Sequence, residues 1–400
     1  MPGDTLDPIF IPDGNNVLPV KVKQLCLDCL GKSSFPVINL DGSSCGDFRF
    51  QDEHLSILLD CLETADIKLS QLSLRFHKLT SKALERIAVH MNKMSSHANS
   101  MYNFDSLNLE GNEINGDCIE SLGLSADNCS IDLLNLSSNP LGFDGGNKLI
   151  TALTTNRSLK HLYLNNCDFP LNTIIGITSA LTAKIGGSSN YNDCILETLE
   201  IDRPLKRNSA VKEEMGTDHL SRLIPFTART PLNSLSLKYH MIEDFGAKLL
   251  ADSISRNYGN LMSLNLDCNF IGVGGAEAIA SCLIMQSKAN CVGLQVLKLS
   301  YNRVGNEGAE ALADALKSST SLVELTLKSN SIDKGLVAIG KALEVNNSIK
   351  KISLFGNDFD ANSGKVFFDL IKNRLSFLET KIDVSVYIVD GIFHVGEVNI

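Results

Sequence analysis

The sequence lacks any apolar run that approaches the length of a bilayer-spanning helix, so it offers no membrane segment. No basic stretch followed by an apolar one opens the chain, which leaves no secretory signal and points to the cytoplasm, or to a nuclear or ciliary setting. Basic residues are not in excess. Lys and Arg number 36 against 46 Asp and Glu, a formal charge of −10, whereas a nucleic-acid partner wants a basic face. No GxGxxG or GxxxxGK[ST] pattern sits between a strand and a helix, and HExxH and GxSxG are missing. The chain therefore reads as no enzyme, with no catalytic residue and no cofactor.

A zinc module is also missing. Cys26 and Cys29 form a CxxC with no second pair, and Cys45, His54 and Cys61 follow no zinc spacing. Val22, Leu25, Cys26, Cys29 and Leu30 instead make one apolar face of a helix, and no metal is expected. The eleven cysteines are odd in number and scattered, which reads as free, mostly buried thiols in a reducing compartment.

What the chain does have is one unit written many times. Leu294, Leu297, Leu299 and Asn302 form an LxxLxLxxN frame, followed by Gly308 and an amphipathic run through Ala309, Leu312, Ala313 and Leu316. Related frames end at Leu40, Leu74, Leu109, Leu136, Leu164, Ile201, Leu237, Leu266, Leu299, Leu327 and Leu354. Such a unit of strand, turn and helix cannot bury its apolar edge alone, so the repeats must stack. Three residues after the anchors stand Asn112, Asn139, Cys167, Asn269, Asn302, Asn330 and Asn357, with Ser43, His77, Pro204 and His240 as departures. A turn buried between repeats cannot hydrate its backbone, and an Asn amide supplies both donors and an acceptor. The column therefore reads as a structural asparagine ladder, and the two histidines as turn residues.

These units, best kept in residues 105–125, 261–283, 294–316 and 322–343, resemble the ribonuclease-inhibitor-like leucine-rich repeats, across roughly Phe35 to Ile371. The resemblance implies an α/β solenoid of about eleven strand–helix repeats, a horseshoe with a parallel concave sheet and helices on its convex side. The family's functions range from nuclease inhibition to GTPase activation and scaffolding, so architecture is implied more firmly than activity. The Ran GTPase activators, with eleven such repeats, offer the alternative reading. They usually carry an acidic tail and an Asn-Ala-Phe-Gly turn; here the tail is apolar and the nearest turn is Asn139-Pro140-Leu141-Gly142.

The expected organisation is a disordered arm over residues 1–16, a helical cap over 17–34, repeats over 35–375 and a C-terminal hairpin cap over 376–400. Polar insertions interrupt the repeats at 186–193 and 203–217, on rims that in solenoids either bind or stand as idle surface loops. Asp390-Gly391 between alternating apolar residues marks a two-residue hairpin turn pairing Val389 with Ile392, Ile388 with Phe393 and Val386 with Val395. Its apolar face is expected to cover the open edge of the sheet.

In the frame, the third, fifth and seventh positions alternate away from the core. They place Glu110, His161, Tyr163, Glu200, Asp202, Lys238, Asp267, Lys298, Glu324, Lys328, Lys351 and Phe355 on the concave sheet. Acids dominate the earlier repeats and lysines the later ones. A graded, curved face suits a protein partner, with no nucleic acid or membrane called for and a monomer expected in isolation. Ribonuclease inhibition is not expected, because Glu110, Glu200 and Asp202 are few and the lysines would repel a basic enzyme.

Overall fold

A computed structural model describes residues 37–64, 66–96, 104–125, 129–183, 195–203, 232–256, 261–289, 293–375 and 379–400. The expected arm and helical cap, the Cys26–Cys29 pair, the 186–193 insertion and nearly all of the 203–217 insertion lie outside these residues. The chain divides into two compact units, one ending at Leu196 apart from residues 204–207, the other beginning at Glu197.

In the first unit, five three-residue strands lie parallel in chain order: β1 (Val37–Asn39), β2 (Gln71–Ser73), β3 (Ser106–Asn108), β4 (Leu133–Asn135) and β5 (His161–Tyr163). Each central residue, such as Leu72, Leu107 and Leu134, and each anchor two residues on points inward and is buried. Helices α1 (Asp52–Thr64), α2 (Ser81–Ser96), α3 (Gly142–Thr155) and α4 (Leu171–Ala183) cover that side. Burying one leucine contributes roughly 1.5–3 kcal/mol, and every rung buries two along the strand alone. The third repeat departs from the full helix its sequence suggests. It makes only a 3-10 turn, Ile119–Leu122, stopped by Gly123 with φ 60°. There Gly116 lies so close to Gly145 that a Cβ would come within 2.1 Å of the Gly145 nitrogen.

The second unit holds seven parallel strands: β6 (Thr198–Glu200), β7 (Ser234–Ser236), β8 (Ser263–Asn265), β9 (Val296–Lys298), β10 (Glu324–Thr326), β11 (Lys351–Ser353) and β12 (Lys381–Ile382). Its helices are α5 (Asp244–Arg256), α6 (Val273–Lys288), α7 (Gly305–Ser318), α8 (Gly335–Leu343) and α9 (Ala361–Leu370). The apolar spacing read around Leu299 is met, with Ala309, Leu312, Ala313 and Leu316 all buried.

The hairpin of β13 (Val384–Val389) and β14 (Ile392–Glu397) has the register expected from Asp390-Gly391, and both turn residues have positive φ. Its placement differs from expectation. The sheet edge is completed by β12, which pairs with β11, not by the hairpin. Phe393 instead packs on α9, against Gly364 and 5.9 Å from the Phe368 ring. The far end remains open, with Ile388 and Val389 exposed and Ile392 61% exposed.

What ends the parallel ladder chemically is Asp383. Leu327 donates its N–H to the Ser353 carbonyl of the next strand. One repeat later the Leu354 N–H finds no such strand carbonyl in reach of a two-residue β12, and donates to Asp383 Oδ1 at 2.6 Å. The Phe355 N–H does the same at 3.3 Å. This carboxylate is fully buried.

Candidate functional site

The asparagine column is built as its chemistry requires. Asn302 Nδ2 donates to Leu266 O at 2.9 Å and Leu299 O at 3.0 Å, while its Oδ1 accepts from the Ile271 N–H at 3.1 Å. Asn112, Asn139, Asn269, Asn330 and Asn357 repeat the pattern, each donating to the preceding repeat's anchor carbonyl and accepting from its turn. Cys167 keeps half of it, with Sγ donating to Leu136 O at 3.3 Å; burial pushes its thiol up to about 12. His77 and His240 also hold rungs. Their Nε2 atoms lie 2.5 Å from Leu40 O and 2.7 Å from Ile201 O. All these side chains are spent on the backbone, so they carry structure, not chemistry.

A second ladder, absent from the sequence reading, runs through the residue that follows five of the anchors. Asp202 accepts from Ser236 Oγ at 2.7 Å and from the Lys238 N–H at 2.8 Å. Asp267 accepts from the Ser300 N–H at 2.7 Å and Thr326 Oγ1 at 3.4 Å. Asp41 accepts from Ser73 and the Arg75 N–H, and Ser137 and Ser300 serve the next strand likewise. Burial raises the carboxyls of Asp202 and Asp267 above the usual range, against the pull of these donors. Two residues expected to meet a partner thus first hold neighbouring strands together. The column could have been found by aligning the frames one position past the anchor.

On the face turned away from the helices, the first unit presents Glu110, His161 and Tyr163, all half-buried. Glu110 is not a free acid. Arg75, which the sequence reading passed over, reaches it at 2.9 Å and also lies 3.6 Å from Asp41. The second unit presents Glu200, Asp202, Lys238, Asp267, Lys298, Glu324, Lys328, Lys351 and Phe355. Lys351 pairs across strands with Glu324 at 3.4 Å, and Lys328 meets Asp383 and Glu397 at 3.1 Å each. Lys238 and Lys298 have no carboxylate within 4 Å among the described residues. The expected run of four lysines is therefore two open cations and two closed pairs.

The other residues weighed for chemistry lie apart from these faces. Cys45 is buried with its thiol toward Leu40 O, and His54 accepts from the Gln51 N–H and packs edge-on to Phe48 and Phe50. Among the described residues no disulfide is formed; Cys45, Cys167 and Cys282 are buried, while Cys61, Cys118, Cys129 and Cys268 are half-buried. No helix among the described residues is long and apolar enough to cross a membrane.

Comparison with known proteins agrees with this geometry. The model of the Leucine Rich repeat family matches residues 260–280 and 291–313. Leucine-rich repeat-containing protein 34 of Mus musculus is 30% identical over 238 residues, or 59% of this chain. The match spans about half of that relative, 52% of its length. Among solved structures, a tropomodulin C-terminal domain of Caenorhabditis elegans is 17% identical with a TM-score of 0.32, over 44% of this chain and 92% of that one. An internalin of Listeria monocytogenes is 17% identical with a TM-score of 0.36, over 81% and 88%. Strand frames, the asparagine column, the stacked helices and the matched family model together show a leucine-rich repeat solenoid fold.

Proposed function

We propose that this protein is a non-catalytic interaction scaffold or adaptor that binds a protein partner on the helix-free sheet faces and the adjoining turns. One observation carries the reading. Lys238 and Lys298 stand open on the second unit's face, while Asp202, Asp267, Glu324, Lys328 and Lys351 are paired or bonded to backbone. Exposed charge set on rigid strands suits steering and register in a protein complex. The ladder side chains are spent on backbone groups, which supports a structural role for them. Cysteines that form no disulfide among the described residues fit a reducing, cytoplasmic setting.

The test is a pull-down from native cells with the Lys238→Glu/Lys298→Glu variant, its folding checked by circular dichroism. Loss of partners that the wild type retains is expected, and an unchanged partner set would remove this face from consideration. Lys328 and Lys351 are unsuited to the test, because reversing them breaks ion pairs within the fold. A GTP-hydrolysis assay with small GTPases separates the scaffold from an activator, whose effect is roughly a thousandfold or more.

A further inference from the structure

The turns that follow the second unit's strands carry an arrangement the ladders do not explain. Two residues past ten of the eleven anchors the backbone enters the left-handed region, and five repeats fill that position with Gly111, Ser138, Asn166, Ser329 or Gly356. Such residues suit the turn. The first unit places Phe76 (φ 59°) there, 45% exposed beneath an Arg75 already paired with Glu110, and the second unit places Tyr239 (φ 60°) and Tyr301 (φ 59°) there, 40% and 56% exposed. A bulky side chain in this conformation is unfavourable, and burial does not recover the cost here. Phe270, 38% exposed, lies in the neighbouring turn.

The rings are paired with cations. The Arg203 guanidinium carbon sits 4.1 Å over Tyr239, and that of Arg303 sits 4.4 Å over Phe270. Neither arginine has a carboxylate within 4 Å among the described residues. A guanidinium stacked on a ring is held flat, with its in-plane N–H donors directed outward. It is thus pre-organised for an incoming carboxylate while the ring edges remain available to an apolar side chain.

We infer that this turn rim is a docking site for a short acidic segment of a partner protein, alternating carboxylate and apolar side chains. The inference rests on the scaffold reading above and adds the partner's chemistry. Backbone bonds from Arg203 to Lys238, Tyr239 to Asp267 and Cys268 to Ser300 keep these turns in strand register. Three strand steps of about 4.8 Å separate Arg203 from Tyr301, roughly four or five residues of extended chain. A nucleic acid fits less well, because Asp202 and Asp267 lie one residue along from the rim and would face an unbroken row of phosphates. The net charge of −10 does not forbid an acidic peptide, since charges beyond about 8 Å are screened at physiological salt.

The experiment is fluorescence anisotropy with the full chain and three labelled probes: a Glu/Leu alternating peptide of about ten residues, its Lys/Leu counterpart, and an oligothymidylate of similar length. The acidic peptide should bind at least about tenfold more tightly than either other probe. Arg203→Glu/Arg303→Glu should weaken it by about tenfold or more at an unchanged melting temperature, and Arg203→Gln/Arg303→Gln should weaken it less. Cys268, a free and half-buried thiol between Tyr239 and Tyr301 in the same column, should be shielded from alkylation by the bound peptide. Equal binding of the basic peptide, preference for the oligonucleotide, self-association of the chain through this rim, wild-type affinity in the Arg203→Glu/Arg303→Glu variant, or unshielded Cys268 would each overturn the inference. If that variant keeps its cellular partners while Lys238→Glu/Lys298→Glu loses them, the rim inference falls and the scaffold stands. If neither loses a partner, the scaffold reading falls too.

Discussion

The two units use the same strand frame but treat charge on their helix-free faces differently. In the first, Asp41, Arg75 and Glu110 form one closed set across three successive repeats. In the second, Lys328 and Lys351 are closed by Asp383, Glu397 and Glu324, but Lys238 and Lys298 remain open beside the stacked Arg203 and Arg303. Repeat architecture requires neither outcome, since the strands are held by buried leucines and the asparagine column alike in both units. Closed charge contributes modestly to stability, whereas open charge on a rigid face is available to a partner.

The comparison is most severely tested at Asp383. This carboxylate is buried, caps the last strand's free N–H groups and neutralises Lys328. Asp383→Ala should cost about 3 kcal/mol or more, because it strands buried donors and a partly buried ammonium. The loss should show as a lowered denaturation midpoint, with faster amide exchange confined to β11 and α9, since terminal repeats open first. It should also leave Lys328 with Glu397 as its one remaining carboxylate among the described residues. Removing only residues 388–392, the exposed tip of the hairpin, should cost much less. Equal losses would mean that the hairpin, not Asp383, closes the sheet.

The strands, the helices of most repeats, the asparagine rungs and the Asp390-Gly391 register were legible because each repeats a local rule with a fixed period. The charge pattern was not. Whether Glu110 is open depends on Arg75, thirty-five residues earlier by number, which enters only once the frames are laid side by side. Asp383 was illegible for a different reason. It acts at an end, where the periodic rule stops, and a single acid among alternating apolar residues does not announce a cap. The histidines show a third case. His77 and His240 each follow a repeat whose turn lacks its asparagine, at Ser43 and Pro204. In the first of these the longer imidazole reaches a distant partner, the Phe50 N–H, that an asparagine in its usual place would not meet.

A smaller effect is expected at Arg75. Arg75→Ala should lower stability by about 1 kcal/mol, the scale of a half-exposed ion-pair set, and leave Asp41 and Glu110 uncompensated. The first unit's face would then become acidic, and the Lys/Leu peptide should bind the variant more tightly than the wild type. If affinity does not move, the two faces differ only formally.

The smallest effect, and the most local, concerns acid. His77 Nδ1 accepts from the Phe50 N–H at 3.2 Å while Nε2 lies against Leu40 O, so the ring is neutral with its proton on Nε2. Protonating Nδ1 would set two donors facing each other. Burial lowers the imidazole below its ordinary value of 6.5, outweighing the bond to Leu40. Arg49 nearby acts in the same direction and Asp41 in the opposite one. A histidine lowered on folding binds fewer protons folded than unfolded. Its contribution is therefore complete above the ordinary value and is lost as pH falls below it. His90 is lowered by burial as well, although Glu63 opposes the shift, so the first unit carries two such groups. Melting temperature should fall between about pH 7.5 and about pH 5.5, and His77→Gln, which keeps a donor and an acceptor without titrating, should flatten the fall. Amide exchange at the lower pH should quicken first around Leu40 and Phe50. An equal fall in the variant, or quickening that starts in the second unit around Leu237, would show that the acid-sensitive rung lies elsewhere.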